Sequence, residues 1–170
     1  MKRLNVILIG LLMVISVNQS VNAQTASSTA SATATANIVQ PITINKLVDL
    51  DFGDIAAGPA IGTVTIDPVT LTRSAVGGVI LIATNDGHEA NFEITGQALA
   101  TFSIVLPSSI IISSGSDDMT VNNFVSDLGL TSALDALGEA TLNVGADLQV
   151  GINQAPGLYT GTFDVTVAYN

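Results

Sequence analysis

Few residues in this chain are of the types that do chemistry. Its single histidine, His88, stands in Asn85-Asp86-Gly87-His88-Glu89. A general base needs a nucleophile to activate, and a metal ligand needs companions. No second histidine and no cysteine exists to supply either, and Asn-Asp-Gly is turn sequence, so His88 reads as an exposed turn residue. The densest carboxylate cluster is Asp49, Asp51 and Asp54, oxygen donors of the kind calcium takes. Their spacing lacks the alternating ligands, central glycine and closing glutamate of a calcium loop, so they read as a solvated strand face, and Asp117-Asp118 as a turn. No serine lies in Gly-x-Ser-x-Gly, and Gly77-Gly78 leads into an apolar run instead of a helix N-terminus that would hold a phosphate. With two tyrosines, five phenylalanines and no tryptophan, a stacking surface for sugars or bases is also missing. The expectation is a non-enzymatic protein with no catalytic, cofactor or metal residues.

The elements around these residues are strands. From Ala140 to Ile152 apolar and polar residues alternate without a break, and Tyr159, Phe163, Val165, Val167 and Tyr169 repeat the pattern. A period of two marks a half-buried antiparallel strand, and Asn153-Gln154-Ala155-Pro156-Gly157 between the runs suits a hairpin. Upstream, strands are expected over Asn37–Asn45, Val48–Gly53, Gly62–Asp67 and Val69–Arg73, with Ala56–Ala60 as a loop. Pro41 lacks a ladder donor and places the first of these at an edge or bulge. Val79–Ala83 is continuously apolar, the mark of a central strand buried on both faces. Further strands follow at Phe92–Ile94, Phe102–Leu106, Ile110–Ile112 and Met119–Phe124. Asp127–Gly138 is read as a loop or a single helical turn. The fold class is therefore all-β, an immunoglobulin-like antiparallel β-sandwich of about ten short strands, with a closed β-barrel as the alternative.

Composition bounds the setting. Met1–Ala23 has a basic start at Lys2-Arg3, an apolar run from Val6 to Val17, and small residues at Val21 and Ala23, as in a signal peptide. Those 12 residues would reach only about 18 Å as a helix, short of a bilayer's roughly 30 Å, so export is expected and membrane insertion is not. Residues 24–36 form an Ala/Ser/Thr tether, and residues 37–170 a single domain. The chain holds 14 acidic and 4 basic residues, two of them in the leader, so beyond it the formal charge is 2 − 14 = −12. Nucleic acid and acidic lipid are poor partners for such a surface. Without cysteine, an exported domain of this size must rely on its core.

Both ends carry a second pattern. Ala30, Ala32, Ala34, Ala36 and Ile38 alternate with Ser31, Thr33, Thr35 and Asn37, and the last strand closes with a penultimate Tyr169. In this the chain resembles chaperone–usher, spore-coat-U-like pilus subunits, which the resemblance implies are incomplete sandwiches filled by a neighbour's N-terminal strand. It departs from them in lacking a disulfide and in carrying alanines where such strands carry bulky residues. A wider resemblance rests on Ala34-Thr35-Ala36-Asn37-Ile38, Leu50-Asp51-Phe52-Gly53, Gly62-Thr63-Val64, Ile104-Val105-Leu106-Pro107, Leu142-Asn143-Val144-Gly145-Ala146 and Gly157-Leu158-Tyr159-Thr160-Gly161-Thr162-Phe163. These are similar to a family of small exported bacterial β-domains of unknown function, and the likeness brings no catalytic residues.

The expected function is a secreted structural or adhesive cell-surface subunit, fimbria-like and assembled by β-strand addition. Ala30, Ala32, Ala34 and Ala36 would be the donor residues, with Phe163, Val165, Val167 and Tyr169 on the strand that a partner pairs with. The partners implied are further copies of the chain and a periplasmic chaperone, and the location is the periplasm, cell surface or extracellular space. The alternative is a monomeric exported binding module, with its site on loops Asp86–Ala90 or Ser114–Asp118.

Overall fold

The computed structural model describes residues 26–170; the leader Met1–Ala23 and the expected mature start at Gln24 lie outside the described residues. Residues 26–36 are exposed and carry no regular secondary structure, so Ala30, Ala32, Ala34 and Ala36 form no strand here. The domain, Asn37–Asn170, is built from ten antiparallel strands in a sheet of seven and a sheet of three. It is a sandwich, not a closed barrel.

Its axis is β9 (Glu139–Val150), where the alternation is longest. Leu142, Val144, Ala146, Leu148 and Val150 are all buried, and each of the leucines and valines stabilises the fold by roughly 1.5–3 kcal/mol. One edge of β9 is shared: β4 (Ala90–Thr95) pairs with its first half and β2 (Ile55–Asp67) with its last residues. The other edge pairs with β7 (Asp117–Ser126), since Val144 stands opposite both Ala90 and Ser126, and Gln149 opposite both Thr63 and Thr120. Outside these lie β1 (Thr43–Val48) on β4, β3 (Thr72–Leu81) on β2 and β6 (Ser109–Ser114) on β7. The small sheet runs β10 (Thr166–Tyr169), β5 (Thr101–Val105), β8 (Thr131–Ala133).

The core has two parts. In the first, Phe92, Ile94, Leu142 and Val144 of the large sheet meet Phe102 and Ile104 of the small one, with Leu134 beside them. In the second, Val64, Val79, Met119, Val121, Leu148 and Val150 cluster with no buried residue from the small sheet. Seven strands are thus faced by three, and the second part is roofed by irregular chain.

Several sequence expectations are corrected. Ala140–Ile152 and Tyr159–Tyr169 are not a hairpin: β9 and β10 lie in different sheets, and the second run is regular only over its last four residues. Val48–Gly53 is not a strand; beyond Val48 it keeps one isolated bridge, Asp51 with His88. Asp49 and Asp51 therefore do not share a strand face. The first strand begins at Thr43 instead of Asn37, though it is the edge strand that Pro41 implied. Ala56–Ala60 is no loop but the bulged start of β2, where the register with β3 shifts between Ala57 and Gly62. Val69–Leu71 belong to a turn, and Val79–Ala83 is not central: β3 is an edge strand on which Val79 is 9% exposed and Ile80 66%. Asp127–Gly138 holds no helix; it carries the short β8 between turns. Among the described residues no helix is long and apolar enough to cross a membrane.

Candidate functional site

The second core opens to the surface through a cleft of about 730 Å³. Its floor is apolar, made by Phe92, Ile110, Ile112, Met119, Val121 and Leu148. Its two walls are Asp49–Ile55 and Gly157–Phe163. Within them, Asp49–Gly53 and Tyr159–Phe163 carry the period of a strand in sequence but form only isolated bridges in the structure, at Asp51 and Thr160.

The first wall is held from behind by polar contacts. Arg73, on β3, donates from Nη1 to the carbonyls of Phe52 (3.0 Å) and Asp54 (3.2 Å) and from Nη2 to that of Ile82 (3.0 Å). Its side chain is only 6% exposed, and it pairs loosely with the exposed Asp86 at 3.4 Å. Gly53 bends the wall at φ +71°, where a β-carbon would collide with the Arg73 guanidinium, so only glycine fits both the angle and the space. Asp51 turns inward. It accepts from Gly53 N (2.7 Å) and Asn85 Nδ2 (2.9 Å), while its backbone exchanges bonds of 3.0 and 2.8 Å with His88. Partial burial alone would raise its pKa; the bonds from Asn85 and Gly53, with His88 and Arg73 nearby, outweigh that and hold it below the ordinary carboxylate value. Lys46 pairs with Asp49 at the mouth, at 2.5 Å, and both are exposed.

The second wall is fixed at Tyr159 and Thr160 and by the ring of Phe163. Gln154 Nε2 donates to Tyr159 Oη (3.0 Å), which donates to Ala155 O (2.8 Å). Thr160 exchanges two backbone bonds of 3.0 Å with Ser113 of β6. From Gly161 to Val165 no regular structure forms, and the ladder resumes only at Thr166 on β5. Phe163 is held within this stretch by its ring, edge-on to Phe92 at 6.4 Å and tilted against Phe124 at 5.0 Å. The strand that follows is anchored by Tyr169: Gln97 N donates to its hydroxyl (2.6 Å), which donates to Gln40 O (2.8 Å). The ring lies over Gly96, where a β-carbon would meet that hydroxyl.

Of the residues singled out in the sequence, Phe163 lines the cleft and Val165, Val167 and Tyr169 continue its phase into the first core. Each is half-buried. His88 is exposed, its Nδ1 3.2 Å from Glu89 O, and serves the cleft only through its backbone bridge to Asp51. Among the described residues no group of three or more His, Cys, Asp or Glu is placed to hold a metal ion. The loop Asp86–Ala90 meets the first wall through the His88 bridge, and the turn expected at Ser114–Asp118 is corrected: only Gly115 and Ser116 turn, while Ser114 ends β6 and Asp117 and Asp118 begin β7, opposite Ser114 and Ser113. Sequence reasoning missed Arg73, the organiser of the first wall. Its signal was rarity: beyond the leader, Lys46 and Arg73 are the only cations.

No curated protein and no solved structure matches this chain. A family match does cover the strands and both cleft walls, from residue 42 to residue 169, and by it the chain belongs to the family described as a domain of unknown function, DUF4402.

Proposed function

We propose that this protein is an exported structural or adhesive cell-surface subunit, fimbria-like, whose cleft takes an extended strand from a partner. One observation carries the reading: Asp49–Gly53 and Tyr159–Phe163, strand-patterned in sequence yet holding only isolated bridges, line one opening into the core. A β-strand advances about 3.3 Å per residue, lies about 4.8 Å from its neighbours and shares a layer about 10 Å thick, so each residue fills roughly 160 Å³. A cleft of about 730 Å³ is therefore of the order of a short strand segment. An inserted strand would cover the half-buried Phe52, Ile110, Ile112 and Phe163 and give Gly161–Val165 a ladder partner. Further copies of the chain, or a periplasmic chaperone acting before assembly, would supply that strand.

The test uses surface material sheared from producing cells, run on a denaturing gel with and without boiling and probed for this chain. A ladder at multiples of the subunit mass that collapses on boiling is expected. A single monomer band in both lanes would overturn the reading. It would favour a second one, a monomeric exported binding module, because 730 Å³ also lies within the range of apolar small-molecule sites.

A further inference from the structure

We infer that Gly161–Val165 is a strap that zips onto the free edge of β6, and that it must open before a strand can enter the cleft beside it. Its gating role rests on the strand-accepting reading of the cleft; its closure does not. Thr160 and Ser113 exchange two backbone bonds of 3.0 Å, so they form a hydrogen-bonded antiparallel pair, and that pair sets a register. Continued along the chain, it puts Gly161 opposite Ile112, Thr162 opposite Ile111, Phe163 opposite Ile110 and Asp164 opposite Ser109. Gly161 already follows this course. A β-carbon there would stand 2.6 Å from the carbonyl oxygen of Ile111 and 2.9 Å from the Ile112 side chain, so the close approach needs a glycine. From Thr162 to Val165 no ladder joins the two segments among the described residues.

Both sides of the seam are prepared for a ladder. One edge of β6 pairs with β7 along its whole length. Backbone groups of an antiparallel strand point to its two edges in turn, so with Ser113 facing Thr160 the N–H and C=O of Ile111 and Ser109 face the same free edge. No strand pairs with that edge. The side chains agree: Thr162, Asp164, Ile111 and Ser109 are exposed, while Phe163, Ile110 and Ile112 are half-buried. The register set by Thr160 therefore places exposed residues opposite exposed ones and half-buried opposite half-buried. Ser109–Ser114 also holds no charge and no proline, the usual guards of a bare edge, and a closed strap would guard it instead. What interrupts the seam is the change of sheet. From Ser113 to Val105 the chain takes 113 − 105 = 8 steps, while from Thr160 to Thr166, which pairs with Val105, it takes 166 − 160 = 6. Two residues near Leu106-Pro107-Ser108 thus lack a counterpart, and Pro107 has no N–H to leave unpaired there. The Ile111–Thr162 pair lies short of that corner and can form while Thr166 stays on β5. A strand entering beside β6 needs the same Ile111 and Ser109 groups, so the closed strap excludes it.

The chain has no cysteine, so a single pair can be introduced without competition. In the full chain, Ile111→Cys with Thr162→Cys puts thiols at a hydrogen-bonded pair, whose α-carbons stand about 5.5 Å apart when closed, within disulfide reach. Ser109→Cys with Thr162→Cys, two residues out of register, is the reference, and all three positions are exposed. On mild oxidation the first pair should close at least tenfold faster than the second. A second measurement needs no thiol: hydrogen exchange at the Ile111 amide should quicken at least tenfold in Thr162→Pro, which removes the matching donor. Equal closure of the two thiol pairs, or an Ile111 amide indifferent to Thr162→Pro, overturns the strap. Gating is read on sheared surface material. The Ile111→Cys, Thr162→Cys chain should give no boil-sensitive ladder, and the Ile111→Ser, Thr162→Ser chain, which cannot be locked, should keep it. A ladder from the locked chain overturns the gating role while closure stands. If the wild type itself gives no ladder, the strand-accepting reading and the gating role fall together, and the closure rates and the exchange still decide the strap.

Discussion

Removing Arg73 should unfasten the first cleft wall, and the cost follows from its bonds. Arg73→Ala deletes three donations to the carbonyls of Phe52, Asp54 and Ile82, made by a guanidinium that is almost wholly buried. Hydrogen bonds to charged groups contribute about 1.5–3 kcal/mol each. Asp54 and Ile82 are exposed residues whose carbonyls water can reach once the side chain is gone, so the loss falls below the sum, at about 4 kcal/mol. The pair with Asp86 adds little, being long and exposed on the carboxylate side. With a urea slope of about 2 kcal/mol/M, the unfolding midpoint should drop by about 2 M. Arg73→Lys should recover about half of this, because one ammonium cannot fork to three carbonyls. Hydrogen exchange gives a local readout. The amides of Asp54 and Ile82, which bond Asn85 O and Asp54 O, should lose protection in Arg73→Lys before the β9 amides do. An alanine variant within about 1 kcal/mol of the wild type, or a lysine variant indistinguishable from it, would show that the wall stands without this fork.

Other changes probe the second wall and the acid limit. Gly96→Ala should cost about 2 kcal/mol, seen as a fall in melting temperature of about 8 °C, because its β-carbon displaces the Tyr169 hydroxyl from Gln97 and Gln40. Phe163→Ala should cost about 2 kcal/mol, less than a fully buried phenylalanine, seen as a fall in the urea midpoint of about 1 M. Asp51, Asp67 and Asp135 all titrate below the ordinary aspartate value of 3.8. For Asp67 the backbone amides of Thr70 and Val69 are the cause, and for Asp135 those of Glu139 and Leu137. Their folded pKa values lie below the unfolded ones, so their contribution is complete above about pH 4 and is lost as pH falls through the folded values. Urea midpoints measured from pH 7 to 2 should stay level and then decline below about pH 4, with a shallower decline in Asp135→Asn.

The alternation in β9 was fully legible because one residue in two meets the core, and its neighbours in sequence do not disturb that. Register was not. Which strand pairs with which depends on contacts across the sandwich, and the Pro156-Gly157 loop, a natural hairpin signal, instead carries the chain from the large sheet toward the small one. Val79–Ala83 misled for a related reason. Its apolar outer face at Ile80 belongs to an edge strand, and hydrophobicity alone does not distinguish a face covered by protein from one left open. The informative failures were Val48–Gly53 and Tyr159–Val165. Their period matches a strand and their backbone does not, because a period reports which face is apolar while a ladder needs a second chain segment at about 4.8 Å. Local pattern and tertiary pairing disagree at both segments, and residues of both line one cleft. Arg73 was invisible as a site residue because its partners are backbone carbonyls, which have no sequence signature.

The Tyr169 hydroxyl bonded to Gln40 O bears on how the protein can be labelled. That bond brings the lead-in to β1 and the last strand to one corner. A tag or fluorophore attached at Asn170 would crowd the segment that precedes β1, and a polymer that failed to form from such a fusion would say nothing about the native chain. The β6–β7 turn offers a better position. Gly115 there has nothing within 4 Å of where a β-carbon would stand, and Ser116 beside it is exposed. The same shared corner makes a short linker from Asn170 to Gln40 feasible, with new ends opened at Gly115–Ser116. Such a permutant would keep the ten strands while removing the residues before Gln40 from the domain, so that this segment could be supplied as a separate molecule in any ratio.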